Sequence, residues 1–356
     1  MNYIKHGKQL LVAGLLTAVI AQPAIAAKVL TYTDGSSNRG TRAEATMWFA
    51  KELEKRTNGE LKMEFHWGGA LLKAKAAAKG IGAGAADMGF VIGLYNPKLH
   101  LAYGLGDYPT AYSDAWVANR AMYDLVKNNK DLQTEFDKLN LKHVTNVTST
   151  QIQLVCKGDA VKTISDIKGK KVRGIGVYGK VFKDLGATPV RMSVYKAYQG
   201  LDTGLIDCTQ IYSYAIPSFK LQEVASEVTL LDWGSLLGLS IAMNKDTWNE
   251  LSPEHKEVFN KLSIDFIDHY SQEVTVGNDA AIESLKKAAD GNKVTIHNFS
   301  GADKASLVSA SQEYVDTWRT KAVEQGINAD GLVSQYDALL KKYDEERKSK
   351  GYPWTR

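Results

Sequence analysis

Cysteine and proline are scarce in this chain, with two of the first and seven of the second among 356 residues. Cys156 and Cys208 form no C-x-x-C pair, and the seven histidines show neither H-x-x-x-H nor H-E-x-x-H spacing. The sequence therefore offers no zinc site, and no metal or other cofactor is expected. No block of like charge stands out. With 44 Lys and Arg against 40 Asp and Glu, the chain is too balanced for a nucleic-acid binder. There is no G-x-S-x-G elbow and no placeable pair of catalytic carboxylates, so the chain does not read as a hydrolase or as another enzyme. Internal repeats, low-complexity tracts and Pro-rich linkers are also absent.

The first informative feature is the N-terminus. Lys5 and Lys8 precede an apolar run, Leu10 to Ile20, and Ala24-Ile25-Ala26 is a small-x-small cleavage site. Such a run is too short for a membrane anchor and has the form of a secretory signal peptide. The expectation is a signal over 1–26 and a mature chain from near Ala27, periplasmic and without stable membrane insertion. In an oxidising compartment two cysteines suggest one disulfide, the alternative being two separately buried thiols.

The mature chain alternates strands and helices. VLTYT, LKMEFHW and ADMGFVI read as strands, separated by an amphipathic helix from about Arg42 to Arg56 and by the small-residue stretch LLKAKAAAKGIGAG. That order implies a parallel sheet with crossover helices. A second α/β unit follows, opened by one long strand over His143 to Cys156. The last third is helical, with Ser252 as N-cap and Pro253 at the first helical position. The fold class is α/β, in two lobes. The expected divisions are 27–150 for the first lobe, 151–240 for the second, and 241–356 for long helices that span and complete both.

KKVRGIGVYGKVF contains Gly174, Gly176 and Gly179 in the order G-x-G-x-x-G. A dinucleotide site would need an acid about twenty residues on. The corresponding strand, PVRMS, ends at Arg191, Met192 and Ser193. A glycine-rich turn entering a helix can still favour an anion, and Arg173 at the strand exit could grip a carboxylate with two parallel hydrogen bonds. On spacing alone, a plain surface arginine at a strand end is the favoured reading.

The stretch from Lys168 to Asp207 resembles the signature region of the substrate-binding proteins of TRAP (tripartite ATP-independent periplasmic) transporters, the C4-dicarboxylate-binding-like family. The residues that carry the resemblance are Arg173, Leu185-Gly186-Ala187, Pro189, Met192, Tyr195, Gly204, Ile206 and Asp207, in order and spacing. GELKMEFHWGGALL, GAADMGF and the long closing helices fit as well. The resemblance implies a type II periplasmic binding-protein fold, two lobes joined by hinge strands and a long lobe-spanning helix. It implies a receptor that binds a small organic acid between the lobes and delivers it to two integral-membrane subunits. It also implies that Arg173 holds the carboxylate.

Two further family positions depart from the pattern. A second ligand-facing arginine is replaced by Gln153, and an asparagine by Ile211. One cation suits a mono-carboxylate, or an acid whose other end is polar, more than a sugar acid. Gln153 and Ile211 both map to the cleft. If they face each other on antiparallel strands, three steps along each strand bring Cys156 opposite Cys208. The other expected cleft residues are Tyr95, Tyr178, Thr209, Gln210, Tyr212 and Trp233, with Gly68 and Gly69 closing the second strand; their aromatic rings would suit a planar acid. Alternative readings are a solute-binding protein of an ATP-driven importer and a ligand sensor for a carboxylate.

Overall fold

The computed structural model describes residues 27–109 and 114–356, so the expected signal segment lies outside it. In chain order the strands are β1 (Lys28–Thr33), β2 (Leu61–His66), β3 (Met88–Ile92), β4 (Leu141–Val147), β5 (Ile152–Cys156), β6 (Lys171–Arg173), β7 (Thr188–Pro189), β8 (Cys208–Tyr212), β9 (Glu227–Trp233), β10 (Leu239–Asn244) and β11 (Thr295–Asn298). They form two sheets, ordered β2-β1-β3-β10-β4 and β11-β9-β5-β8-β6-β7. β1 is parallel to β2 and β3, as the strand–helix–strand alternation requires, and β10 runs antiparallel between β3 and β4. The fold is the expected two-lobed α/β arrangement.

The chain passes from the first sheet to the second between β4 and β5 and returns between β9 and β10. The long strand expected over His143 to Cys156 is thus two strands, one in each lobe. The crossing segment gives up ladder pairing and bonds the returning segment instead. Ser149 N–H donates to the Leu236 carbonyl (2.9 Å) and Leu236 N–H to Ser149 Oγ (2.8 Å). Asp107 fastens the return crossing to the first lobe, its Oδ1 accepting from the amides of Leu237 (3.1 Å) and Gly238 (2.8 Å). Burial pushes that carboxyl up to about 7.

A third connection is the helix Pro253–Lys286, capped by Ser252, whose Oγ accepts from His255 N–H (3.1 Å). Its buried residues recur at helical spacing. Phe259 and Phe266 join the core under the first sheet, and Leu285 ends in the core of the second lobe. The helix Gly301–Glu324 also spans, with Leu307 under the second lobe and Trp318 bonded to the Leu101 carbonyl at 2.8 Å. The boundary expected at 240 falls inside β10, a strand of the first sheet, and the C-terminal third contributes β11 to the second. Alternation alone does not reveal that a chain returns to an earlier sheet.

β5 and β8 are antiparallel, with Gln153 opposite Ile211 and Cys156 opposite Cys208. The two sulfurs are bonded, closing a loop whose ends are 52 residues apart in sequence. A cross-link of that span narrows the unfolded ensemble more than the folded one. Reduction of the pair, or the Cys156→Ser/Cys208→Ser variant, is expected to cost about 4 kcal/mol of stability. Thermal unfolding with and without reductant measures it; superimposable melts would show that the cross-link contributes nothing.

Candidate functional site

A cleft opens between the lobes where the carboxyl ends of β1 and β6 face each other, the position where open α/β sheets take their ligands. Its volume is about 80 Å³. That is well under the roughly 300–1,000 Å³ of a drug-sized pocket, so with the lobes in this position it admits only a small molecule. The first lobe contributes Ser36, Arg39, Arg42, Phe90 and Tyr95, and the second Arg173, Tyr195, Tyr212, Tyr214 and Phe219. Tyr270 of the long helix and Leu236 of the return crossing complete the lining.

Arg173 ends β6, only 4% exposed. Its Nε donates to the Met192 carbonyl (3.2 Å) and Nη1 to the Gln210 carbonyl (3.1 Å). Among the described residues no carboxylate comes within 4.0 Å of it, and Nη2 makes no hydrogen bond to protein. A buried guanidinium held by two carbonyl dipoles and no counter-charge is chemically able to pair with an incoming carboxylate.

The glycines beside Arg173 have a different role from the one the motif advertised. A Cβ on Gly174 would lie 2.6 Å from the Gly179 Cα, and one on Gly179 would lie 2.7 Å from the Gly174 carbonyl carbon. Both residues must be glycine for helix Gly176–Asp184 to turn back onto the end of β6. The Ile175 amide is taken by Gln210 Oε1 at 2.8 Å. This loop amide is therefore not free for an anion.

Arg42 escaped the sequence reading. It lies in the first turn of helix Thr41–Arg56, and its Nη2 reaches Asp34 Oδ1 (3.1 Å), Ser36 Oγ and Tyr195 Oη (3.5 Å). Its Cζ sits 3.8 Å above the Phe90 ring. Burial by itself would lower this guanidinium, but the charge of Asp34 and its hydrogen bonds outweigh it and hold the group above its ordinary range. Gly68 and Gly69 serve this corner, donating to the Ser36 carbonyl (2.6 Å) and the Asp34 carbonyl (2.8 Å). The signal that could have found Arg42 is its position, just past the carboxyl end of the first strand.

Of the eight residues expected at the site, the structure brings Arg173, Tyr95 and Tyr212 to the cleft. Gln153 instead clasps Asp232, donating to Oδ1 (2.9 Å) and accepting from the Asp232 amide (3.1 Å). Tyr178 is wholly buried, donating to the Ser235 carbonyl (3.0 Å) and packing edge-on against Trp233 at 4.7 Å. Trp233 is buried with it, and Thr209 bonds the Gln210 carbonyl (3.2 Å) inside the second lobe. Gln210 supports Arg173 from behind. Burial places the phenols of Tyr195, Tyr212, Tyr214 and Tyr270 above their ordinary range, so all four remain neutral. Tyr212 and Tyr214 stack, with centroids 5.6 Å apart.

A model of the DctP family, bacterial extracellular solute-binding protein family 7, matches residues 34–321. The chain belongs to this family. The 2,3-diketo-L-gulonate-binding periplasmic protein of Escherichia coli is 25% identical over 338 residues, covering 94% of this chain and 97% of that one. A TRAP solute-binding protein of Rhodoferax ferrireducens, solved with copurified benzoate, superposes with a TM-score of 0.81. It is 19% identical and covers 89% of this chain and 99% of its own. A marine-metagenome TRAP solute-binding protein specific for aromatic acids, solved with 3-hydroxybenzoate, gives a TM-score of 0.79 at 23% identity, with the same coverage. At these identities the two structures establish the shared fold of the family. The chain is a solute-binding protein of family 7.

The lobes touch across the cleft mouth. Arg39 Nε donates to the Ser218 carbonyl (2.8 Å), and Tyr95 Oη accepts from Val194 N–H (3.2 Å) while lying 3.3 Å from Ser193 Oγ. These polar contacts join the two lobes at the mouth, so removing one is expected to shift the population toward an open form. Tyr95→Phe should raise the ligand-free radius of gyration in solution scattering. Curves indistinguishable from the parent protein would show that this contact does not hold the lobes.

Proposed function

We propose that this chain is the extracytoplasmic solute receptor of a TRAP transporter, binding a small organic acid between its lobes and delivering it to the membrane permease. The observation that carries the reading is Arg173, a buried cation without a counter-ion among the described residues, facing a cleft walled by aromatic rings. An incoming carboxylate takes the free side of the guanidinium, while neutral phenols offer donors to its other polar atoms. Flat walls such as the Tyr212–Tyr214 stack favour a planar body over a fully hydroxylated one. Ligand contacts made with both lobes at once stabilise the closed form, which the membrane subunits then recognise.

The partners are the small and large integral-membrane subunits of such a transporter, and the compartment is the periplasm. Support comes from family membership, from the basic and apolar start of the sequence, and from the periplasmic protein of E. coli to which the chain is similar. Among the described residues no helix is long and apolar enough to cross a membrane. The role is capture and release, with no chemical step.

A thermal-shift panel of small aromatic and aliphatic acids tests the reading. An acid present at a hundredfold its dissociation constant should add about 2.7 kcal/mol of stability. The shift is expected to vanish in Arg173→Ala, with the unliganded melt little changed. A shift retained in that variant would move the anion site elsewhere.

A further inference from the structure

Two arginines lie deep in the cleft, but only one is available to a ligand. Arg42 is bound to Asp34, whose side chain is fully buried (0% exposed). Asp34 is also held by the Ser36 amide (2.8 Å) and Ser36 Oγ (2.9 Å), and its backbone is pinned by Gly69 N–H at 2.8 Å. Nothing in this corner lets Asp34 swing away.

We propose that Asp34 is a specificity determinant, restricting the cleft to acids with one carboxylate by occupying the second arginine. The inference rests on the receptor reading and names the substrate class of the same site. With Arg42 and Asp34 cancelling, the interior carries one net positive charge, that of Arg173. A second carboxylate would have to displace Asp34 from Arg42, leaving a buried carboxylate without its partner, or lie beside it with like charge. A hydroxyl, amide or ring edge can rest against the pair and Tyr195 Oη without displacing Asp34. The third cleft cation, Arg39, is exposed at the rim and spends its Nε on the Ser218 carbonyl, so solvent screens it. An acid in place of a neutral residue at position 34 thus acts against the wrong ligand more than for the right one.

The test is titration calorimetry on the mature protein with acids paired to differ by one carboxylate: benzoate with isophthalate, and propionate with succinate. The wild-type protein is expected to prefer the mono-acid of whichever pair it binds. Asp34→Asn should free Arg42 and shift the mono-to-di ratio by about tenfold or more toward the di-acid. An unchanged ratio, with binding still lost in Arg173→Ala, overturns the inference alone. Binding that survives Arg173→Ala, or no binding by any of the four acids, overturns the receptor reading and the inference with it. If Asp34→Asn does not fold, Asp34→Asn/Arg42→Met removes both charges together, a change that buried ion pairs tolerate. That double variant is expected to keep the mono-acid preference, and a gain of di-acid affinity in it contradicts the proposal.

Discussion

A positive charge buried without a counter-ion is the constraint around which this molecule is arranged. Water is largely excluded from Arg173, and the described residues give it two backbone carbonyls and no carboxylate. Dipoles of that kind hold and aim a guanidinium but do not neutralise it. In the proposed reading a ligand carboxylate supplies the unmet part of its solvation, and the cost of burying the charge becomes selectivity for an anion.

The surroundings keep that geometry fixed. Gly174 and Gly179 meet backbone to backbone and bring a helix onto the end of β6, while Gln210 holds the intervening turn. Behind them the Cys156–Cys208 cross-link ties β5 to β8, so the sheet that carries Arg173 is braced against the crossing segment. The hinge is braced by Asp107, Ser149 and the Tyr270 hydroxyl, which donates to the Thr148 carbonyl at 2.8 Å. Lobes joined by two bonded crossings and by the spanning helices can shift about those connections.

The features legible in the sequence were those set by local chemistry. Ser252-Pro253 marked the start of the long helix, whereas the weight on Arg173 and the Gln153–Ile211 register that sets the cysteines opposite each other came from the resemblance to the TRAP family. The hidden features depend on which side of a strand faces the cleft and where the chain changes sheets. Gln153, Thr209, Tyr178 and Trp233 sit on the right elements, yet their side chains turn into the second lobe or the hinge. Arg42 was hidden for the opposite reason. An arginine in the first turn of an amphipathic helix looks like a surface residue until Asp34 and Phe90 are seen beside it.

The most direct measurement is a crystal structure of the mature protein with whichever small acid stabilises it most. The account requires the carboxylate oxygens within hydrogen-bonding distance of the Arg173 guanidinium, with the rest of the ligand between the aromatic walls of the two lobes. A ligand bound through Arg39 or outside the cleft, with Arg173 still unpaired, would contradict it.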